Sequence, residues 1–227
     1  MTTDDEGMRD NWPELRAKFA GYTFHHYRAY VQRTTKLIEQ EAVSLDRQLE
    51  EARLMRGRGP EEKGIAISRR MEESQWFKFH FHRMAYKSVF VSIYSHFEQV
   101  LVEFCDDLRK ARRFKIAVDD LGSGDTIGRC RTYLMKVGDV PFPNAAGWSD
   151  IKLVQQARNK IVHNAGLFQA LGTADTKETT TLRQFLMRKG GQEWMGETVS
   201  VSEQFLLYSI DLFSAFVVEL ANVTPAS

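Results

Sequence analysis

A long run of apolar residues at helical spacing constrains the fold of this chain more than any other feature. Between about Met84 and Arg112, apolar side chains recur every three or four residues and define one wide face: Tyr86, Val89, Phe90, Ile93, Phe97, Val100, Leu101, Phe104 and Leu108. A face of this width is typical of a helix that is buried along one side. We therefore predict a central core helix over this segment.

Helical spacing also marks most of the remaining chain. A heptad stripe of Val31, Ile38, Leu45 and Ala52 predicts a long amphipathic helix from about Phe24 to Met55, stopped by Arg56-Gly57-Arg58-Gly59-Pro60. Further helices are predicted over about 61–73 and 127–137, from Ser149 or Asp150 to about Asn164, and from Ser200 or Ser202 to Leu220. The predicted fold class is all-α, with one helical domain over residues 1–227.

Three segments depart from the helical pattern. Trp76 to His82 alternates apolar and polar residues, which favours an extended segment or a tight connection without deciding between them. Thr173 to Thr181 is polar and predicts a surface loop. Leu182–Met187 and Glu193–Val201 flank Lys189-Gly190-Gly191-Gln192, so we predict a small β-hairpin insert near residues 182–201.

Composition and charge exclude several classes of protein. The 227 residues are 43% hydrophobic and 27% charged, unlike a disordered or collagen-like chain. Lys and Arg total 31 against 30 Asp and Glu, a net charge of +1 that excludes binding of nucleic acid by bulk charge but not by a local basic patch. Two cysteines, Cys105 and Cys130, are too few for a disulfide framework or a zinc site and favour a reducing, cytoplasmic location.

The most apolar segment, Phe205 to Val223, is long enough to consider as a membrane span. It carries Asp211 and Glu219, and each acid at bilayer depth costs about 3 kcal/mol. We therefore expect a buried helix and no membrane partner.

The segment from Gln155 to Asn164 carries the residues of chemical interest. On a helix, Asn159 and His163 lie one turn apart on a face that points away from the core side, with Arg158 at its edge. Histidine exchanges protons near neutrality, and arginine binds phosphate oxygens in a fork. Because RNA supplies its own nucleophile, the 2′-hydroxyl, this set suits RNA cleavage without metal or cofactor.

The string Arg158-Asn159-Lys160-Ile161-Val162-His163 resembles the R-x4-H signature of the HEPN superfamily, including the polar residue after the arginine. Ser92-Ile93-Tyr94-Ser95-His96-Phe97-Glu98-Gln99-Val100-Leu101 is similar to an early HEPN core helix, and the closing apolar helix also fits. The resemblance covers about Met84 to Val223. It leaves residues 1–83 as an N-terminal helical extension without a counterpart.

This resemblance implies a helical bundle that dimerises so that two motifs face each other across one cleft. Active members are metal-independent endoribonucleases, often toxins or antiviral defence effectors, and other members are inactive sensors or partner-binding modules. By position, His163 is implied as the acid/base residue, Arg158 as the phosphate clamp and Asn159 as the orienting group.

Other side chains are candidates for supporting roles. Glu98, at the flank of its helix's apolar face, either holds Arg158 in place or is a plain surface carboxylate. Lys160 and Asn164 belong to the motif segment. The basic cluster of Arg109, Arg112 and Arg113 either contacts the RNA backbone or only favours the helix dipole.

We therefore predict a homodimeric, metal-independent endoribonuclease with RNA as substrate. The alternative is a non-catalytic HEPN-like module that docks a protein regulator, suggested by the near-zero net charge and the heptad stripe. A third reading is a structural helical bundle whose motif match is accidental.

Overall fold

The computed structural model describes residues 11–54, 59–122, 124–143, 145–164, 166–168, 176–194 and 198–224, and it is mostly helical. The long predicted N-terminal helix is present as α1, Trp12–Leu54, and begins earlier than the heptad stripe does. The next helix, α2, spans Pro60–Trp76, where Pro60 suits the first helical position because its missing N–H would have no partner there. The predicted stop signal at residues 56–58 lies outside the described residues.

The segment after α2 is helical, so both predictions for Trp76 to His82 are wrong. Phe77–Phe81 forms a π-helical turn that joins α2 to α3, His82–Arg112. The rings of Phe77 and Phe81 stack with centroids 4.9 Å apart. The alternation of apolar and polar residues did not predict a helix here. The stretch is short, and helices α2 and α3 adjoin it directly on both sides.

The predicted core helices are confirmed, with shifted ends. They are α3, then α4, Thr126–Lys136, α5, Ala145–His163, and the last helix, α7, Glu203–Val223, with a short 3₁₀ turn, Val118–Asp120, before α4. Asp125 caps α4 by accepting a hydrogen bond from the Gly128 amide at 2.8 Å.

The predicted strand over residues 182–187 is wrong, because Lys177–Arg188 forms a helix, α6. Thr176 caps it, so the predicted loop does not extend to Thr181, and residues 173–175 lie outside the described chain. Gly190 adopts a left-handed φ of +81°, and the Gly191 amide donates to the carbonyl of Leu186 at 2.7 Å. The glycine pair therefore ends a helix, a role that has the same sequence signature as a hairpin turn.

Two short strands follow α6. Gln192–Trp194, β1, pairs antiparallel with Thr198–Ser200, β2, and Leu167 bridges to Thr198. The paired segments are shorter than predicted and lie entirely after α6.

A single hydrophobic core includes the N-terminal helix as well as the predicted HEPN-like part. Phe213 of α7 stacks on Phe97 of α3 at a centroid distance of 4.1 Å and lies 6.4 Å from Phe24 of α1. Ala20 and Val31 of α1 are also buried in this cluster. The first half of α1 therefore packs in the same core as α3 and α7.

The heptad stripe of α1 is covered by the chain itself. Val31 lies in the main core, and Leu45 and Ala52 are buried farther along α1, in the half that packs against α2. Nζ of Lys78, in the π-helical turn after α2, binds Oδ1 of Asp46 in α1 at 2.5 Å. This ion pair joins α1 to the end of α2, and we call the paired halves of these two helices the arm. The stripe is thus not a free surface for a partner helix.

By length and composition, α7 is apolar enough to cross a membrane. Within the bundle its buried residues form much of the core: Phe205, Leu206, Ser209, Ile210, Phe213, Phe216, Val217, Leu220 and Ala221. Its Asp211 forms an ion pair with Arg28 of α1.

Candidate functional site

The motif helix α5 lies along α3 and runs antiparallel to it. Arg158 of α5 approaches Glu98 of α3, with Nη2 3.8 Å from Oε2. Further along α5, a methyl group on Gly166 would lie 2.8 Å from Nζ of Lys87, near the start of α3. The last turns of α5 therefore point toward the N-terminal end of α3.

Arg158 is held against α3 by several contacts. Its guanidinium carbon lies 5.4 Å from the centroid of the Tyr94 ring, a cation–π contact. Nη1 donates a hydrogen bond to Oδ1 of Asn159 at 3.1 Å. The side chains of Arg158 and Glu98 are only 23% and 19% exposed, which places their ion pair at the edge of the core.

One donor of Arg158 is left over. Its Nε is buried and forms no hydrogen bond with any described residue. A buried N–H without a partner costs about 1–3 kcal/mol, so an acceptor that reached this edge would relieve that cost. A phosphate oxygen is an acceptor of the right charge.

The acidic and phenolic groups beneath Arg158 have shifted pKa values. Burial raises the pKa of Glu98, and the charge of Arg158 offsets part of that rise. Burial also raises the pKa of Tyr94 strongly, and the neighbouring Glu98 carboxylate adds to it. Tyr94 therefore remains a neutral phenol throughout the physiological range, and Arg158 supplies the favourable charge that Glu98 needs.

Asn159 and His163 occupy the solvent-facing side of α5, which agrees with the predicted face. Both are exposed, whereas Val154 and Ala157 are buried on the opposite side. His163 forms no hydrogen bond with a described residue. Its imidazole is accessible at the last turn of the helix.

The end of α5 is anchored by the chain that follows it. The carbonyl of Lys160 accepts hydrogen bonds from the amides of Asn164 at 3.0 Å and Gly166 at 2.8 Å. Gly166 has a left-handed φ of +87°, and its carbonyl accepts from the Val199 amide of β2 at 2.8 Å. The β-strand pair thereby fixes the position of the turn that presents His163. Asn164 itself is exposed and Lys160 half-buried.

The basic cluster at the end of α3 lies away from the motif. Arg109 bonds Asp106 at 2.8 and 3.0 Å, and Arg112 donates to the carbonyl of Gly138 at 2.8 Å. Arg113, with φ of 56°, closes the helix. At 1.5 Å per residue the cluster is about 17–22 Å beyond Glu98, in the direction opposite to His163.

The sequence suggested that Glu98 could reach Arg158, but it did not indicate that Tyr94 lies under Arg158 or that Lys87 lies beside Gly166. Tyr94 lies one turn before Glu98 on the same flank of α3, and this i, i+4 spacing was the available signal. No local pattern marks Lys87, because its proximity to Gly166 depends on how α3 and α5 pack. Burial lowers the pKa of Lys87.

The site thus combines an anchored guanidinium, an adjacent amide and an accessible imidazole about 7.5 Å further along the helix axis. No family model, curated protein or solved structure matches this chain.

Proposed function

We propose that this protein is a metal-independent endoribonuclease of HEPN type that acts as a cytoplasmic homodimer, in the manner of a toxin or antiviral defence effector. The observation that carries the proposal is the arrangement on α5: Arg158 is anchored by Glu98 and Tyr94 beside an exposed Asn159, with His163 exposed at the end of the same helix.

In the proposed reaction, the 2′-oxygen of RNA attacks the adjacent phosphorus. His163 takes the 2′-hydroxyl proton as the new O–P bond forms. The bond from phosphorus to the 5′-oxygen breaks, and that oxygen takes a proton from a second copy of His163 across the dimer cleft. The products are a 2′,3′-cyclic phosphate and a 5′-hydroxyl, so no water or metal is consumed.

Arg158 has the role of stabilising the negative charge that grows on the phosphoryl oxygens. Glu98 and Tyr94 position the guanidinium rather than touch the substrate, and its exposed part provides donors for the phosphate. Asn159 orients the groups of the site, and Lys160 and Asn164 add charge and polarity at the cleft.

His163→Ala should lower cleavage of an unstructured RNA by about 10² or more, because it removes the acid/base group. Arg158→Ala should also lower the rate, and Glu98→Gln should lower it less, since the guanidinium remains. Rates are measured with purified chains in EDTA. His80→Ala, which removes an exposed histidine outside α5, is the matched control and should cleave at the wild-type rate.

Cleavage that survives in both His163→Ala and Arg158→Ala would contradict the assignment. Activity that disappears on adding EDTA would instead indicate metal-dependent chemistry.

The alternative function, a non-catalytic module that docks a protein partner, draws on a different surface. The arm formed by α1 and α2 exposes the apolar side chains of Leu37, Val43, Leu54 and Ile65, each 64–75% accessible. Exposed apolar groups on one arm are typical of interaction surfaces. A chain that cleaves no RNA but forms a stoichiometric complex that Val43→Glu abolishes would favour this function.

A further inference from the structure

The first half of α1 has an unusual charge distribution for a chain whose net charge is +1. Residues 15–38 contain five Lys and Arg and two His but no Asp or Glu. This stretch of 24 residues carries a formal charge of +5, with His counted as neutral, between Glu14 and Glu39.

Two of the five cations are used inside the bundle. Nε of Arg16 donates to Asp107 at 2.8 Å, and Arg28 pairs with Asp211. The other three, Lys18, Arg33 and Lys36, are exposed and form no ion pair with any described residue. Their charge is therefore directed to solvent.

Aromatic side chains accompany these free cations. Phe19, Tyr22 and Tyr30 are 55–66% exposed, and the Tyr22 ring packs edge-on against His26 at 4.4 Å. Their spacing places them on the side of α1 opposite the buried Phe24. We call Lys18, Phe19, Tyr22, Tyr30, Arg33 and Lys36 the aromatic-basic face, which extends about 27 Å along the helix.

Helix α1 lies beside α3 on the flank opposite α5, and its aromatic-basic face is on the side of α1 turned away from α3. The hydroxyl of Tyr27 donates to the carbonyl of Ser92 at 3.4 Å, and the hydroxyls of Thr35 and Tyr86 are 2.8 Å apart, so α1 also runs antiparallel to α3. α5 contacts the other flank of α3 through Glu98 and Tyr94.

The two flanking helices are in register along α3. Tyr30 lies three residues beyond the contact at Ser92, and His163 lies five residues beyond the contact at Glu98, so both reach about the same level of α3. With neighbouring helix axes 8–10 Å apart, the axes of α1 and α5 are about 16–20 Å apart across α3. Exposed serines of α3, Ser88 and Ser95, line the surface between them.

We propose that the aromatic-basic face binds single-stranded RNA and leads it toward the motif on α5. Bases stack on Phe19, Tyr22 and Tyr30, and backbone phosphates bind Lys18, Arg33 and Lys36. Exposed rings and exposed cations on one side of a helix suit a single strand, which presents both bases and phosphates. The role in substrate delivery rests on the proposed ribonuclease function, whereas the binding itself is measured separately.

The experiment uses the His163→Ala chain, which we expect to leave RNA intact, and a fluorescent unstructured oligoribonucleotide. Tyr22→Ala with Tyr30→Ala should weaken binding at least tenfold, because each base–aromatic stack contributes about a fivefold to hundredfold factor. Arg33→Ala with Lys36→Ala should weaken binding and lower the slope of log affinity against log salt by about 1.4, at 0.7 per phosphate contact.

Matched controls come from exposed residues elsewhere on the chain. Phe79→Ala removes an exposed ring, and Arg47→Ala with Arg69→Ala removes two exposed cations of the arm. Both controls should keep the starting affinity and salt slope. Equal losses in controls and face variants would overturn the proposal.

Two further outcomes would overturn it in favour of other occupants. In one, the variants of the aromatic-basic face bind RNA as tightly as the starting chain but no longer bind phosphatidylserine vesicles, which would make the face a membrane surface. In the other, the same variants keep their RNA affinity, but light scattering shows that they are monomers where the starting chain is a dimer. If the wild-type chain cleaves no RNA yet RNA binding depends on the face, the ribonuclease proposal fails and the binding face stands.

Discussion

His96 of α3 lies between aromatic rings of α1. Its ring centroid is 5.1 Å from that of Phe24 and 5.6 Å from that of Tyr27, and its buried Nε2 forms no hydrogen bond with a described residue. Burial lowers the pKa of His96, and the charge of Glu103 offsets part of the shift. The folded chain therefore binds a proton at this position less readily than the unfolded chain does.

The pH dependence of folding stability follows from this shift. As the pH falls below about 6.5, His96 is protonated in the unfolded state but stays neutral in the folded state. The contribution of neutral His96 to the free energy of unfolding is therefore fully present above that pH and is lost as the pH decreases. His96→Phe should show a smaller fall in Tm between about pH 7.5 and 5.5 than the wild-type chain does. The exposed His25→Phe is the control and should behave as wild type; equal falls in all three chains would contradict the role of His96.

At the residue level, sequence alone could predict contacts that follow from helix faces. Asn159 and His163 share an exposed side because they are four residues apart, and Glu98 meets Arg158 because each lies at the flank of an apolar stripe. The ring of Tyr94 beneath Arg158 depends on the offset between α3 and α5, which no local pattern encodes.

At the scale of elements, the last helix depends on its N-terminal cap. Oγ of Ser202 accepts a hydrogen bond from the Phe205 amide at 3.2 Å and donates one to the carbonyl of Gly190. One hydroxyl thus caps α7 and ties it to the end of α6.

Ser202→Ala should lower the free energy of unfolding by about 1–2 kcal/mol, because it removes the cap and leaves the Gly190 carbonyl with one partner fewer. Ser88→Ala is the control, since Oγ of Ser88 only bonds back to the Met84 carbonyl within its own helix, and its effect should be close to zero. Urea denaturation measures both. A loss no larger than that of the control would show that the cap contributes little.

Long periodic helices were predictable as elements, whereas short segments with ambiguous signals were not. Leu182, Phe185 and Leu186 are buried at helical spacing, yet the threonine-rich start and the Gly190-Gly191 pair also fit a loop and a hairpin turn. Packing favours the helix α6 over a strand, since the Phe185 ring contacts the Phe205 ring of α7.

At the scale of the whole molecule, one aromatic core joins the first, central and last helices. Phe213 is fully buried and contacts the rings of Phe24, Tyr94 and Phe97. The N-terminal helix therefore folds with the rest of the chain, which the sequence pattern did not indicate because the stripe of α1 fits an internal partner as well as an external one.

Phe213→Ala should lower the free energy of unfolding by about 3–5 kcal/mol, because it leaves a cavity where three helices meet. Phe79→Ala removes the same side chain from an exposed position and should cost well under 1 kcal/mol. Unfolding should remain a single transition that includes α1. A separate early transition for the N-terminal helix would contradict the single core.

The overall charge balance conceals two distinct regions, the acid-free stretch of α1 and the motif on α5. The proposed RNA binding would need only a few local cations, so the net charge of +1 does not conflict with the proposed nuclease.

The most direct test of the ribonuclease proposal is the chemical end group of the cleaved RNA. Wild-type protein in EDTA should yield fragments that mass spectrometry identifies as 2′,3′-cyclic phosphates with matching 5′-hydroxyl ends, and His163→Ala should yield about a hundredfold less. Intact RNA after incubation with the folded wild-type chain, or the same fragments from His163→Ala, would contradict the account.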